Sequence, residues 1–227
     1  TLNWSVYGSY QVISTGTILA FHMSGSGSTR HDPKPILPGH TEILGFASNS
    51  MRVTTSLDST NYNVLHGNSV TAAGSINKQD VTQINSQGTS SYYQGYAVKI
   101  TADRDISGAS FADSNGLCAA PFIPTNLMKK RYATNAEANY VAFASKQAGT
   151  IAVYSPAQTI GVDAPIETLT LTRAGANPNA PYNVRRGGTT PAGYRFVSTV
   201  PIGAWYHPSV EVGSAAFDET ILYGTDE

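Results

Sequence analysis

Four stretches of the chain read as one repeated β-hairpin, and that repeat constrains the fold more than any other feature. Tyr10-Gln-Val-Ile-Ser-Thr-Gly-Thr-Ile-Leu-Ala-Phe21 aligns without a gap on Tyr194-Arg-Phe-Val-Ser-Thr-Val-Pro-Ile-Gly-Ala-Trp205. Each holds a short apolar strand ending in Ser-Thr, a tight reversal, then an Ile and an aromatic three residues later. Phe143-Ala-Ser145 followed by Gly149-Thr-Ile-Ala-Val-Tyr154 repeats the pattern with a longer turn. Val98-Lys-Ile-Thr101 followed by Asp105-Ile-Ser-Gly-Ala-Ser-Phe111 is a looser fourth copy. Repetition of a β unit predicts a repeated β scaffold. The recurring aromatic positions, Trp205 and Tyr154 among them, are then expected in the core.

Elsewhere, period-two runs bounded by Gly, Pro, Asn and Ser predict strands at Ile43–Thr55, Tyr96–Thr101, Tyr140–Ala144, Ile166–Thr172 and Tyr194–Val200. In Thr168-Leu-Thr-Leu-Thr172 the alternation points Leu169 and Leu171 at a core and the threonines outward. Residues 125–139 could form a short helix, although their apolar positions keep no 3.6-residue period. The stretches around 24–41, 61–95 and 174–191 read as long loops. Ser24–Thr29 reads as a flexible link, and the prolines of Pro33–Pro38 resist strand pairing. Loops of this length in a compact protein are functional or docked on a neighbour. The expectation is an all-β chain of two tandem, related β-sandwich halves, antiparallel and hairpin-rich with long loops. Residues 1–118 form the N-terminal sandwich and 119–227 the C-terminal one. A single sandwich with long excursions is the alternative.

Only 13% of the residues are charged, about half the usual share. A net charge of −1 lacks the basic footprint that nucleic-acid binders use to release counterions, so no nucleic-acid partner is expected. The clusters Lys129-Lys130-Arg131 and Arg185-Arg186 read as solvated turns or subunit contacts. No apolar run approaches the ~20 residues of a membrane helix, and no membrane insertion is expected. Cys118 is the one cysteine. It can form no intrachain disulfide, and its apolar neighbours make it a buried small residue.

Candidate chemistry is sparse. His22, His31, His40, His66 and His207 contain no pair at zinc-ligand spacing. Asp103, Asp105 and Asp113-Ser-Asn115-Gly116 lack the spacing of an EF-hand and read as Asx turns, with a structural calcium as the alternative. There is no Gly-x-Ser-x-Gly elbow and no phosphate loop. Glu167, Glu211, Asp218, Glu219 and Asp226 read as surface carboxylates, although a glycan hydrolase would need two of them facing. No catalytic residue, cofactor or metal is therefore expected. Tyr92, Tyr93 and Tyr182 are the candidate contacts for a glycan or a partner.

Two segments resemble known proteins. Tyr96-Ala-Val-Lys-Ile-Thr-Ala-Asp-Arg-Asp-Ile-Ser-Gly-Ala-Ser-Phe111 resembles the strand–turn–strand unit of the all-β domain found in IgGFc-binding proteins. Pro121–Thr125, Lys130–Tyr132 and Tyr140–Phe143 resemble that domain's next segment. The second half, above all Thr189-Thr-Pro-Ala-Gly-Tyr-Arg-Phe-Val-Ser-Thr-Val-Pro-Ile-Gly-Ala-Trp205, resembles β-rich structural proteins of tailed phages, particularly marine ones. The resemblance implies a scaffold and carries no site residues. It implies an extracellular or virion-surface β module that acts by binding or assembly, and the leading expectation is a non-enzymatic structural protein of a virus particle, a tail, fibre or capsid-surface component. Its partners would be other virion subunits and further copies of itself, with a host-surface glycan as a further ligand. The alternative is a secreted or cell-surface adhesion or carbohydrate-binding module, and a glycan hydrolase comes third.

Overall fold

Val, Ile, Thr and aromatic residues fit a pleated, half-buried surface, and the chain follows that preference almost throughout. The computed structural model describes residues 13–16, 18, 20–22, 34–46, 50–66, 69–78, 80–85, 97–111, 119–173, 175, 177–208 and 220–225. Strands β1 (Phe21–His22) and β2 (Lys34–Pro35) form a short ribbon. An eight-stranded antiparallel sheet follows: β3 (His40–Phe46), β4 (Ser50–Thr55), β5 (Thr60–His66), β6 (Ser69–Ile76), β7 (Val81–Asn85), β8 (Ala97–Phe111), β9 (Ala119–Pro121) and β10 (Ile123–Pro124). A 3₁₀ turn at Thr125–Leu127 leads into a nine-stranded sheet. Its strands are β11 (Lys129–Ala133), β12 (Ala138–Ser145), β13 (Thr150–Tyr154), β14 (Glu167–Thr170), β15 (Thr172–Arg173), β16 (Tyr182–Thr190), β17 (Arg195–Pro208), β18 (Thr220–Ile221) and β19 (Gly224–Thr225). The chain is all-β, in two β-sandwich halves. Among the described residues no helix is long and apolar enough to cross a membrane.

Each half is organised by one long strand that serves two layers. The first part of β8 pairs with β3 and β5, and the last part with β4 and β9. In the other half, the first part of β17 pairs with β11 and β13, and the last part with β12 and β18. Three further ladders match: β5–β6 with β13–β14, β4–β7 with β12–β16, and β10–β3 with β19–β11, while β15, beside β16, has no counterpart among the described residues. Even the irregularity recurs. The register slips between His40↔Ile106 and Glu42↔Thr101, and again between Lys129↔Ile202 and Arg131↔Val197. The two halves therefore share one topology.

The bends are pinned alike. Thr55, at the end of β4, donates its hydroxyl to the Asp105 carbonyl at 2.9 Å and accepts the Leu57 N–H at 3.3 Å. Ser145, at the end of β12, donates to the Pro201 carbonyl at 2.8 Å and accepts the Gln147 N–H at 3.1 Å. Beyond each bend a fully buried isoleucine, Ile106 or Ile202, enters its half's core.

Several sequence expectations are corrected here. Val98–Phe111 and Tyr194–Trp205 are not hairpins, because each runs on through a single bent strand. A two-residue hairpin turn needs positive φ at its centre, and no residue at either bend has one. Phe143–Tyr154 is not a hairpin either, since β12 and β13 each pair with β17 and with outer strands, and not with each other. The copy at Tyr10–Phe21 lies mostly outside the described residues. Residues 125–139 give one 3₁₀ turn and strand, not a helix. Much of 61–95 is strands β5, β6 and β7, and much of 174–191 is β16. Asn, Ser and Gly hide these strands: on β5 the buried Tyr62 and Val64 alternate with Asn61 and Asn63, while β6 and β7 bury Ile76 and Ile84 among small and polar residues. Pro35 does pair, within the two-residue ribbon. Leu169 and Leu171 are buried between exposed threonines, as the alternation predicts.

Each half has its own core, and a third cluster joins them. Leu44, Phe46 and Ile123 of the first half pack with Ala142, Trp205 and Ile221 of the second. Trp205 is 1% exposed and meets Phe46 edge-on at 5.3 Å between centroids. Its indole N–H donates to the Pro121 carbonyl at 2.9 Å. Burying an indole requires such a partner. Trp205→Ala should cost about 3–5 kcal/mol and uncouple the halves. Urea unfolding followed by circular dichroism and tyrosine fluorescence should then show a lower midpoint and two separate transitions. A single transition at the wild-type midpoint would show that this contact does not join them.

Candidate functional site

The surface that fastens the halves together is a socket on the first half. Its polar side is Glu42 on β3, opposite Thr101. The Glu42 carboxylate accepts hydrogen bonds from Lys146 of the second half and from the Thr125 hydroxyl at 3.3 Å, with the Lys99 ammonium at 3.6 Å. Burial pushes the Glu42 carboxyl up, but the Lys146 hydrogen bond, the charges of Lys146 and Lys99 and the Thr125 hydroxyl outweigh it. The net effect holds the group below the ordinary carboxylate range. Leu44 and Ile123, neighbours across the β3–β10 ladder, supply the apolar side against which Trp205 lies.

The matching registers place the same socket on the second half, where no part of the described chain fills it in this way. Arg131 opposite Val197 takes the place of Glu42 opposite Thr101. Ala133 opposite Arg195 takes the place of Leu44 opposite Lys99. Across the β11–β19 ladder, Thr225 and Tyr223 stand where Thr125 and Ile123 stand in the first half. These residues line an open cavity of about 270 Å³. Tyr223 is 66% exposed and also walls an adjoining apolar hollow of about 210 Å³, against Leu37, Leu127 and Ile221.

The far wall of the cavity is Ile160, on the segment between β13 and β14. That segment is braced by its own bonds. Ser155 N–H donates to Gln158 Oε1 at 2.8 Å, Gln158 Nε2 to the Ala164 carbonyl at 2.6 Å, and Thr159 N–H to Asp163 Oδ2 at 2.5 Å. Arg195 anchors it by donating from Nη2 to the carbonyls of Ser155 (2.8 Å) and Gln158. The cavity is thus a formed site on a sheet face, with one wall held by hydrogen bonds.

The sequence-predicted contacts fall elsewhere. Tyr92 and Tyr93 lie outside the described residues, as do Cys118, His31 and Asp113. Tyr182 is half-buried against the second core, with the Arg173 guanidinium 4.3 Å above its ring and Arg173 Nη2 donating to its hydroxyl at 2.5 Å. The basic clusters are strand residues and not solvated turns. Arg186 donates to Glu167 at 2.8 Å and to the Thr190 hydroxyl at 2.6 Å. Arg185 lies 4.3 Å over the Tyr140 ring, which stacks on His207. Asp103 accepts the Asn61 N–H at 2.9 Å and its amide at 2.8 Å. Among the described residues no group of three His, Cys, Asp or Glu side chains is placed to hold a metal ion. Comparison with protein-family models, with curated proteins and with solved structures found no match to this chain.

Sequence reasoning met Arg131 only as the end of a basic cluster and passed over Tyr223. The signal that could have found them is the parallel between Ile123-Pro-Thr125 and Tyr223-Gly-Thr225, each closing its half's sheet.

The Glu42 network carries a pH dependence of fixed sign. A carboxyl depressed in the folded state contributes stability above its unfolded pKa and loses it as pH falls through the folded pKa. Glu42→Gln should therefore lower stability by about 1 kcal/mol at neutral pH. The two unfolding midpoints should converge in acid, once the wild-type carboxyl is protonated. A difference that persists undiminished below that range would contradict this account.

Proposed function

We propose that this chain is a non-enzymatic structural protein of a virus particle, a tail, fibre or capsid-surface component of a tailed phage, acting through subunit contacts. One observation carries the reading: a duplicated β module uses a socket to bind its sister half and presents the equivalent socket open. Repeated modules joined by such heterologous contacts are how extended assemblies are built. The joint between the halves is packed and hydrogen-bonded, which suits a part that must hold its shape under load. A surface of few charges and many hydroxyls and amides fits the same setting, as does the likeness of Thr189–Trp205 to phage structural proteins. In this reading the partners are other virion subunits and further copies of the chain.

Cross-linking and native mass spectrometry of the protein in solution and in particles test the reading. Oligomers or cross-links to other virion subunits are the expected result. Isolated monomers in both settings would overturn it.

A further inference from the structure

We propose that the open socket of the second half binds an acidic polypeptide segment that presents a carboxylate beside an apolar or aromatic side chain. This deepens the assembly reading and rests on it. The argument begins from the filled socket. There a sheet face of the second half supplies one cation, Lys146, to Glu42 and one aromatic, Trp205, to the apolar side formed by Leu44 and Ile123. The occupant of this geometry is therefore polypeptide, reading one charge and one ring.

In the open socket the charge at the Glu42 position is reversed and that at the Lys99 position is kept. Arg131 replaces Glu42, and Arg195 replaces Lys99, so two guanidiniums share one face of adjacent strands. Among the described residues no carboxylate is within ion-pair distance of either. Arg195 uses Nη2 on two carbonyls, which are dipoles and not counter-ions. Paired guanidiniums fit a carboxylate in a way that a lone ammonium does not. Tyr223 takes the place of Ile123, and its exposed ring beside the cavity offers a stacking surface. Charge complementarity thus selects an acid where the sister socket selects a base.

The test is an NMR titration of the full chain, following the arginine Nε–Hε and Tyr223 signals, with acetyl-Glu-Phe-amide as the probe. Acetyl-Gln-Phe-amide and N-acetylneuraminic acid are the comparison ligands. The acidic peptide should shift Arg131 and Tyr223 saturably, and its binding should weaken as salt is raised. Arg131→Glu should reduce its affinity by about tenfold or more, and Tyr223→Ser should reduce it while leaving the circular dichroism spectrum unchanged. Equal binding of the Gln peptide would overturn the role of charge. Preferential binding of the sialic acid would overturn the polypeptide in favour of a glycan carboxylate. Absence of saturable shifts with every ligand would overturn the site. Native mass spectrometry of the same samples, with cross-linking in particles, separates this inference from the reading beneath it. Oligomers or cross-links to virion subunits without peptide binding would sink the socket alone, whereas peptide binding by a chain that stays an isolated monomer in solution and in particles would sink the assembly reading alone.

Discussion

Every layer of this protein hangs on two strands that bend without ending. A strand shared between layers carries hydrogen-bonded neighbours along both edges of each of its parts, so the bend sets where those neighbours lie. In β8 and β17 the bend is fixed from outside by a hydroxyl, from Thr55 or Ser145, that takes a carbonyl the ladder leaves over. A backbone carbonyl left unpaired in a partly buried corner would cost up to about 1 kcal/mol. The adjoining isoleucine then has one place to go, into its half's core. Bend, hydroxyl and isoleucine form a single device, and the chain uses it twice.

The second constraint is that the halves meet through different surfaces. The first contributes the outer face of β3, β9 and β10, and the second the outer face of β12, β17 and β18. Such a contact leaves one surface of each kind unused, in contrast to an isologous pair that consumes both. The join is apolar where Trp205 enters and charged only at its rim, through Glu42, Lys99 and Lys146. Glu42 and Lys99 are largely covered, so the cost of desolvating them offsets much of their attraction. The tryptophan holds the halves, and the rim fixes their register.

The fold was legible in residues whose burial leaves a period. Leu169 and Leu171 alternate with threonines because only one face of β14 and its continuation is covered. The repeat around Tyr194–Trp205 was real, but its meaning was misread. Ser-Thr followed by Pro or Gly suits a bend as well as a reversal, and only the partners across the ladder decide between them. Strands β5 to β7 escaped notice because much of their surface is exposed and carries Asn, Ser, Gly and small residues. The candidate site was less legible still. It depends on register across β3, β8 and β10, and on its copy across β11, β17 and β19, which no local pattern encodes. Arg131 was visible only as the end of a basic cluster.

The same registers explain why a further copy of the first half would not seat in the open socket. A third half of the first kind would have to offer the face that the second half offers, with an aromatic at the Trp205 position and a small residue at Ala142. The first half instead has Ala109 where the second has Trp205, and Arg52 where it has Ala142. Its face would bring Arg52 toward Arg131 and Arg195, and no ring toward Tyr223. Like charges brought together in a partly desolvated contact oppose association. The divergence lies in side chains that point out of the sheets, while Ile106 and Ile202, and the hydroxyls of Thr55 and Ser145, stay matched within. A socket kept in shape, closed to its own kind and reversed in charge is suited to a partner of different chemistry.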